Sequence, residues 1–401
     1  MLHKIIDEAL TQGADFAEVY LENTRRRQFT YLGGRPEKAV SGHTLGAGIR
    51  LFAGTEQIYT YTNDLSEEGL LRAARQAAAA LKAGGMKGRQ DRERGKDSES
   101  ADEQRTIPTS RAGATEPEHF GNSPSERRTA KAQWEALRLM DKTARAHSSL
   151  ITQVHAELIE TAKTVRIMNS EGIHRSENRN YLNSFVQAFA EDGGNKELGY
   201  ERTGFLGTAE DWSKVDFAAL AREAAAQSLR ILKAGWAPAG EMPVLLDNGF
   251  GGVIFHEACG HGLETTSVAK NASVFAGKLG EKVASDVVTA IDDGTLPGDY
   301  GSLAIDDEGE LTRRTVLIEN GVLKSYIVDK MGARKTGYAI TGSGRRQDYR
   351  FAPTSRMRNT FIAPGTSTFE EMIKDIDYGL LCEKNSVADR YPRERAHTTS
   401  R

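Results

Sequence analysis

The first apolar positions, Leu2, Ile5 and Ile6, sit among His3, Lys4, Asp7 and Glu8. This spacing predicts an amphipathic helix near residues 3–12. Ala17-Glu18-Val19-Tyr20-Leu21 alternates, and Gly46-Ala47-Gly48-Ile49-Arg50-Leu51-Phe52 is a second candidate strand. Ser66 is expected to open a helix reaching about Ala83 and breaking at Gly84-Gly85, with Leu70, Leu71, Ala74 and Ala78 as its core stripe. The pattern then stops. Across residues 84–122 only Met86, Ile107 and Phe120 are large and apolar. Such a stretch buries too little surface to offset its ordering entropy and is expected to be disordered. Ser123-Pro124-Ser125-Glu126 reads as a capping box with proline at the first helical position, starting a helix to about Ala146. Residues 150–159, 164–168 and 181–190 read as strands. Turns at Ser170-Glu171-Gly172 and Asp192-Gly193-Gly194 suggest an antiparallel meander. A long helix over residues 217–233 follows.

A second domain is expected from Glu241. Pro243-Val244-Leu245-Leu246 reads as a buried strand, Gly249-Phe250-Gly251-Gly252 as a turn, and a helix comes next. Residues 287–291 read as a strand leading into Asp292-Asp293-Gly294. Asn320-Gly321 between two apolar runs is the signal of a type I′ hairpin. The predicted class is α+β. An N-terminal mixed α/β domain, residues 1–83 and 123–240, precedes a β-rich C-terminal domain over 241–382, with a separate tail over 383–401.

Composition narrows the function. The 401 residues carry a formal charge of −3, which argues against a nucleic-acid binder, and the mixed charges of 84–122 argue against a nucleic-acid tail. No apolar run approaches the roughly 18 residues of a membrane span. The N-terminus lacks the apolar core of a signal peptide. Two cysteines, Cys259 and Cys382, exclude a disulfide framework and fit a cytoplasmic protein.

The chemistry concentrates at His256-Glu257-Ala258-Cys259-Gly260-His261. Two imidazoles suit zinc, and a carboxylate beside the first can take a proton from water. The spacing is i and i+5, roughly 140° apart on an ideal α-helix. Both rings share a face only if the helix loosens by one residue, as in a π-bulge. Gly260 would ease that distortion. The bland alternative is a core helix with one satisfied histidine. His43, His155 and His174 read as exposed or structural. Asp292-Asp293 and Asp306-Asp307-Glu308 read as turn chemistry and solvated charge, with cation binding as the other option. Arg345-Arg346 and Arg356 are placed either on a substrate carboxylate or carbonyl, or on the acidic turns. The strand–glycine turn–helix order lacks the Lys-Ser/Thr ending of a phosphate-binding loop.

The stretch from Asp247 through His256-Glu257-Ala258-Cys259-Gly260-His261-Gly262-Leu263-Glu264 resembles the signature of the TldD/PmbA metallopeptidases, in its TldD-type branch. The likeness continues through Ser273-Val274-Phe275-Ala276-Gly277, Asp306-Asp307-Glu308-Gly309, Gly342-Ser343-Gly344-Arg345-Arg346 and Arg356-Met357-Arg358-Asn359-Thr360. The resemblance implies a zinc-dependent peptidase of the cytoplasm acting on peptides or unfolded proteins. His256 and His261 would bind Zn, and Glu257 would be the general base. It also implies a homodimer, or a heterodimer with a PmbA-type subunit.

The pattern departs near the C-terminus. Resembling proteins continue with a glycine-rich, β-forming segment that supplies a cysteine as third zinc ligand. Residues 383–401 do not resemble it, Cys382 comes too early, and Cys259 should face away from the histidines. The C-terminal domain is therefore expected to be incomplete, with Glu264 as a substitute ligand. Residues 84–122 are expected to be an insertion or a reading-frame error. Two readings stand: a working metallopeptidase, or a non-catalytic, truncated member serving as a partner subunit.

Overall fold

A computed structural model describes residues 1–84, 124–248, 251–374 and 376–382. The disorder expected for 84–122 falls outside the described residues beyond Gly84. The Ser123 capping box and the 383–401 tail also lie outside them.

The chain opens with α1 (Leu2–Leu10), β1 (Phe16–Leu32), β2 (Arg35–Ala53), β3 (Glu56–Thr62) and α2 (Glu67–Ala83). After α3 (Pro124–His147) come β4 (Ile151–Asn169), β5 (His174–Asp192), β6 (Asn195–Leu206) and α4 (Phe217–Lys233). The six strands form one antiparallel sheet in the order β3-β2-β1-β4-β5-β6. Ser66 caps α2 by accepting from the amide of Gly69, as its position suggests. The strands are longer than their apolar runs. Residues 150–159 and 164–168 belong to one strand, and β6 has no counterpart in the sequence reading. Polar middle segments such as Arg25-Arg26-Arg27 stay in register because both neighbouring strands pair with them. Long-range pairing thus overrides weak local propensity.

Pleat alternation gives the sheet two faces. One face packs on helices. Val19, Ile49 and Leu51 meet α1 and α2 through Ile5, Leu70 and Ala74. Leu158, Val186 and Ala188 meet α3 and α4 through Leu137, Met140 and Ala221. The other face carries Tyr20 and Ile167, which pack on Ile305 and Tyr349 from the C-terminal half.

That half runs through β7 (Val244–Leu246), α5 (Gly252–Phe255), α6 (Thr265–Val268), β8 (Ala290–Asp293), β9 (Arg314–Glu319), β10 (Val322–Leu323) and α7 (Lys330–Thr336). It ends with β11 (Gly344–Arg345), β12 (Thr354–Ser355), β13 (Asn359–Ile362), α8 (Phe369–Lys374) and β14 (Leu380–Cys382). The strands are short: a four-stranded sheet β10-β9-β8-β13 and the pairs β11-β12 and β14-β7. The class is α+β. Asn320 and Gly321 take φ of 47° and 79°, the left-handed values of a type I′ turn.

The acidic clusters correct the sequence reading. The strand expected at 287–291 sits instead at Ala290–Asp293, and Val287 is 85% exposed. Asp292, Asp293, Asp306, Asp307 and Glu308 are buried, not solvated turn residues. Protein cations meet the second cluster. Arg50, fully buried, contacts Glu18 at 2.9 Å and Glu308 at 2.7 Å. Arg346 reaches Glu18 at 2.7 Å, and Arg179 pairs with Asp307. These groups join β1, β2 and β5 of the large sheet to the acidic turn of the C-terminal half. Burial outweighs Arg50 and holds the Glu308 carboxyl above its usual range.

Asp292 accepts from the amide of Arg358 and the hydroxyl of Thr360, both at 2.7 Å. Burial still pushes its pKa from 3.8 up to about 6. The folded state therefore binds this proton more tightly than the unfolded chain. Its contribution is fully present below about pH 4 and is lost as pH rises through about 6. At about 1.4 kcal/mol per pKa unit, the loss is at most ~3 kcal/mol. Asp292→Asn keeps an acceptor and should flatten the wild-type decline in urea midpoint between pH 4 and 7. An unchanged decline in the variant would refute this.

Candidate metal centre

The chain reaches the motif along α5, whose Phe255 is buried in the core of the C-terminal half. The next five residues, His256–Gly260, form a π-turn closed by the amide of His261 on the carbonyl of His256. A 3₁₀ turn, His261–Leu263, follows, and Leu263 is fully buried. The extra residue in the turn rotates position 261 back toward position 256. The two imidazole rings lie 4.9 Å apart between centroids, at 86° to one another. Gly260 is buried against the Met357 sulfur, and no Cβ fits there. The space beside Gly260 is thus taken by a core side chain and gives a substrate no access.

His256, Glu257 and His261 present donor atoms within 4.8 Å of one another. Among the described residues no other three His, Cys, Asp or Glu side chains converge in this way. Burial and the neighbouring His261 lower the pKa of His256, which favours the neutral ring that a metal needs. Glu257 is exposed, with Oε2 3.8 Å from His261 Nε2.

Glu264 does not sit where a substitute ligand would. It is buried, its Oε1 lies 3.2 Å from His261 Nδ1, and its Oε2 lies 2.7 Å from Arg356 Nη1. A carboxylate accepts, so Nδ1 carries the hydrogen and Nε2 keeps its lone pair for a metal. Such outer partners fix the ring orientation of metal-binding histidines. The signal was present in the sequence as a carboxylate three residues past His261, but both its oxygens are engaged only in the folded chain.

Cys259 packs toward the core, where burial raises its thiol pKa, and it is not among the converging donors. His43 is exposed beside Asn23, His155 contacts Gln187, and His174 is exposed. The arginines divide. Arg346 belongs to the buried network, Arg356 holds Glu264, and Arg345 is exposed. A cavity of about 640 Å³ between β5, β6 and residues 294–304 contains none of the motif side chains.

Comparison with known proteins settles the kinship. Three family models match in order: PmbA/TldA metallopeptidase domain 1 over residues 17–81, the central domain over 123–232, and the C-terminal domain over 239–389. The chain belongs to the PmbA/TldD metallopeptidase family. A relative from Haemophilus influenzae, named metalloprotease TldD homolog, is 32% identical over 389 residues, covering 94% of this chain and 76% of that protein. A Saccharolobus solfataricus protein named zinc metalloprotease TldD homolog is 37% identical over 152 residues, covering 37% of this chain and 33% of that one. The crystal structure of TldE from Thermococcus kodakarensis superposes with a TM-score of 0.72 at 19% identity. It covers 96% of this chain and 82% of that one, and it supports the PmbA/TldD fold.

Proposed function

We propose that this chain is a zinc-dependent peptidase that hydrolyses peptides or unfolded proteins. The observation that carries the reading is the π-turn, which brings two imidazoles and a carboxylate to one point. The two histidines fit two of the three protein positions of a catalytic zinc site. Zinc bonds of about 2.0–2.1 Å place two donors roughly 3–4 Å apart, a small side-chain rotation from the 4.8 Å spread. The name of the Saccharolobus solfataricus relative points to the same ion.

Bound zinc supplies Lewis acidity toward a peptide carbonyl and toward water. The protein supplies the rest. His256 and His261 hold the ion, and Glu264 keeps His261 Nε2 forward while Arg356 anchors Glu264. Glu257 is exposed at the mouth of the site and takes a proton from the attacking water at its carboxylate. It then returns that proton to the departing amine. Removing zinc with a chelator should abolish peptide cleavage, and stoichiometric zinc should restore it. Cleavage that persists in the metal-free chain would overturn the reading.

A second reading follows from the same cluster. If Glu257 completes the ligand set, the site binds metal without a free base and the chain is a non-catalytic subunit. Glu257 is the only further carboxylate among the converging donors in the described residues. We also infer a dimer, with a second copy or a PmbA-type subunit. Light scattering of the purified chain, alone and with such a subunit, tests it. A cytoplasmic setting fits a chain whose cysteines number only two, Cys259 and Cys382. No described helix is long and apolar enough to cross a membrane.

A further inference from the structure

The hairpin of β11 and β12 is fastened to the chain just past the motif. The Ser355 hydroxyl accepts from the amide of Thr266 at 2.9 Å and lies 2.7 Å from its hydroxyl. Arg356, next in sequence, holds Glu264. At the end of β11 the side chains of Arg345 and of the next residue, Arg346, diverge, as extended backbone requires. Arg346 turns into the buried network, while Arg345 remains exposed.

Arg345 differs from the arginines around it. Arg356 is paired with Glu264, and Arg358 donates to the carbonyls of Gly342 and Gly344. Among the described residues no carboxylate lies within ion-pair distance of Arg345. Arg345 pairs across the hairpin with Thr354, two residues before the Arg356 that holds Glu264 behind His261. Of these three arginines only Arg356 has a carboxylate partner among the described residues; Arg358 spends its donors on backbone carbonyls, and Arg345 is exposed.

We propose that Arg345 binds a carboxylate of the peptide substrate beside His256 and His261. The inference rests on the peptidase reading and narrows it to peptides with a carboxylate near the scissile bond. A planar guanidinium matches a carboxylate through two parallel hydrogen bonds, which fixes direction as well as affinity. The carboxylate is either the C-terminal group or an acidic side chain, and three peptides of otherwise equal sequence separate them. One has a free C-terminus and no acidic residue, one is its C-terminal amide, and one is the amide with a single internal Glu.

Initial cleavage rates of the zinc-loaded wild type and Arg345→Gln are compared on all three. Hydrogen bonds to charged groups are worth about 1.5–3 kcal/mol, so a rise in KM of about 10- to 100-fold is expected on the peptide whose carboxylate is bound. The kcat and the uncharged amide should change little, and Arg345→Lys should restore part of the loss. Unchanged zinc content and far-UV circular dichroism confirm that the variant is folded. Equal losses on all three peptides, a loss confined to kcat, or no loss on any would overturn the proposal while leaving the peptidase reading intact. Failure of the wild type to bind or cleave any of the three would overturn both.

Discussion

Glu257→Gln should leave zinc bound and remove peptide cleavage, whereas His256→Ala and His261→Ala should remove both. The two imidazoles are the only nitrogen donors in the cluster, and an alanine leaves one imidazole and an exposed carboxylate. Glutamine keeps the size and one oxygen of Glu257 but has no basic site. General-base assistance is worth about 10²–10⁴-fold, so turnover should fall by at least that lower factor. Zinc per chain is read by elemental analysis after dialysis, and cleavage is followed on a fluorogenic peptide. Loss of zinc from Glu257→Gln would make Glu257 a ligand and favour the non-catalytic reading. Cleavage retained by Glu257→Gln would remove it from the mechanism.

Arg50→Met should lower stability by about 3–5 kcal/mol, the usual consequence of leaving one partner of a buried ion pair alone. Arg50 is fully buried between Glu18 and Glu308. Methionine approximates its stem and supplies no charge, so two carboxylates lose their shared cation. Glu308 retains the backbone amide of Lys330 at 2.7 Å, and Glu18 retains Arg346. These contacts should limit the loss to that range. Urea denaturation followed by circular dichroism measures it as a shift in midpoint. Arg50→Met combined with Glu308→Gln should recover part of the stability, because a neutral amide no longer requires a cation and still accepts from Lys330. A single variant within about 1 kcal/mol of wild type, or a double variant worse than the sum of its parts, would refute this account.

The motif shows how much chemistry a linear pattern conveys. The five-residue spacing of His256 and His261 conflicts with the α-helical repeat, so the two rings could share a face only if the helix loosened by one residue. The structure contains a π-turn at His256–Gly260. The amphipathic α1, α2 with its Ser66 cap, α4 and the Asn320-Gly321 turn were equally legible, because each depends on neighbours within a few positions. The order of the family blocks was legible too, and all three family models match in that order.

Other features have no local signature. The lengths of β1, β2, β4 and β5 follow from pairing across the sheet, which holds polar segments extended. The burial of Asp306, Asp307 and Glu308 depends on Arg50, Arg179 and Arg346, whose contacts with the cluster span 258, 128 and 39 residues. Glu264 looked like a spare ligand until Arg356, 92 residues later, claimed its second oxygen and left the first for His261. The sequence by itself determined the local elements and the motif. Only the tertiary structure decided which charges are buried together and which carboxylate stands behind a ligand. Those outcomes depend on desolvation and pairing between distant segments, and no window of the chain contains both partners.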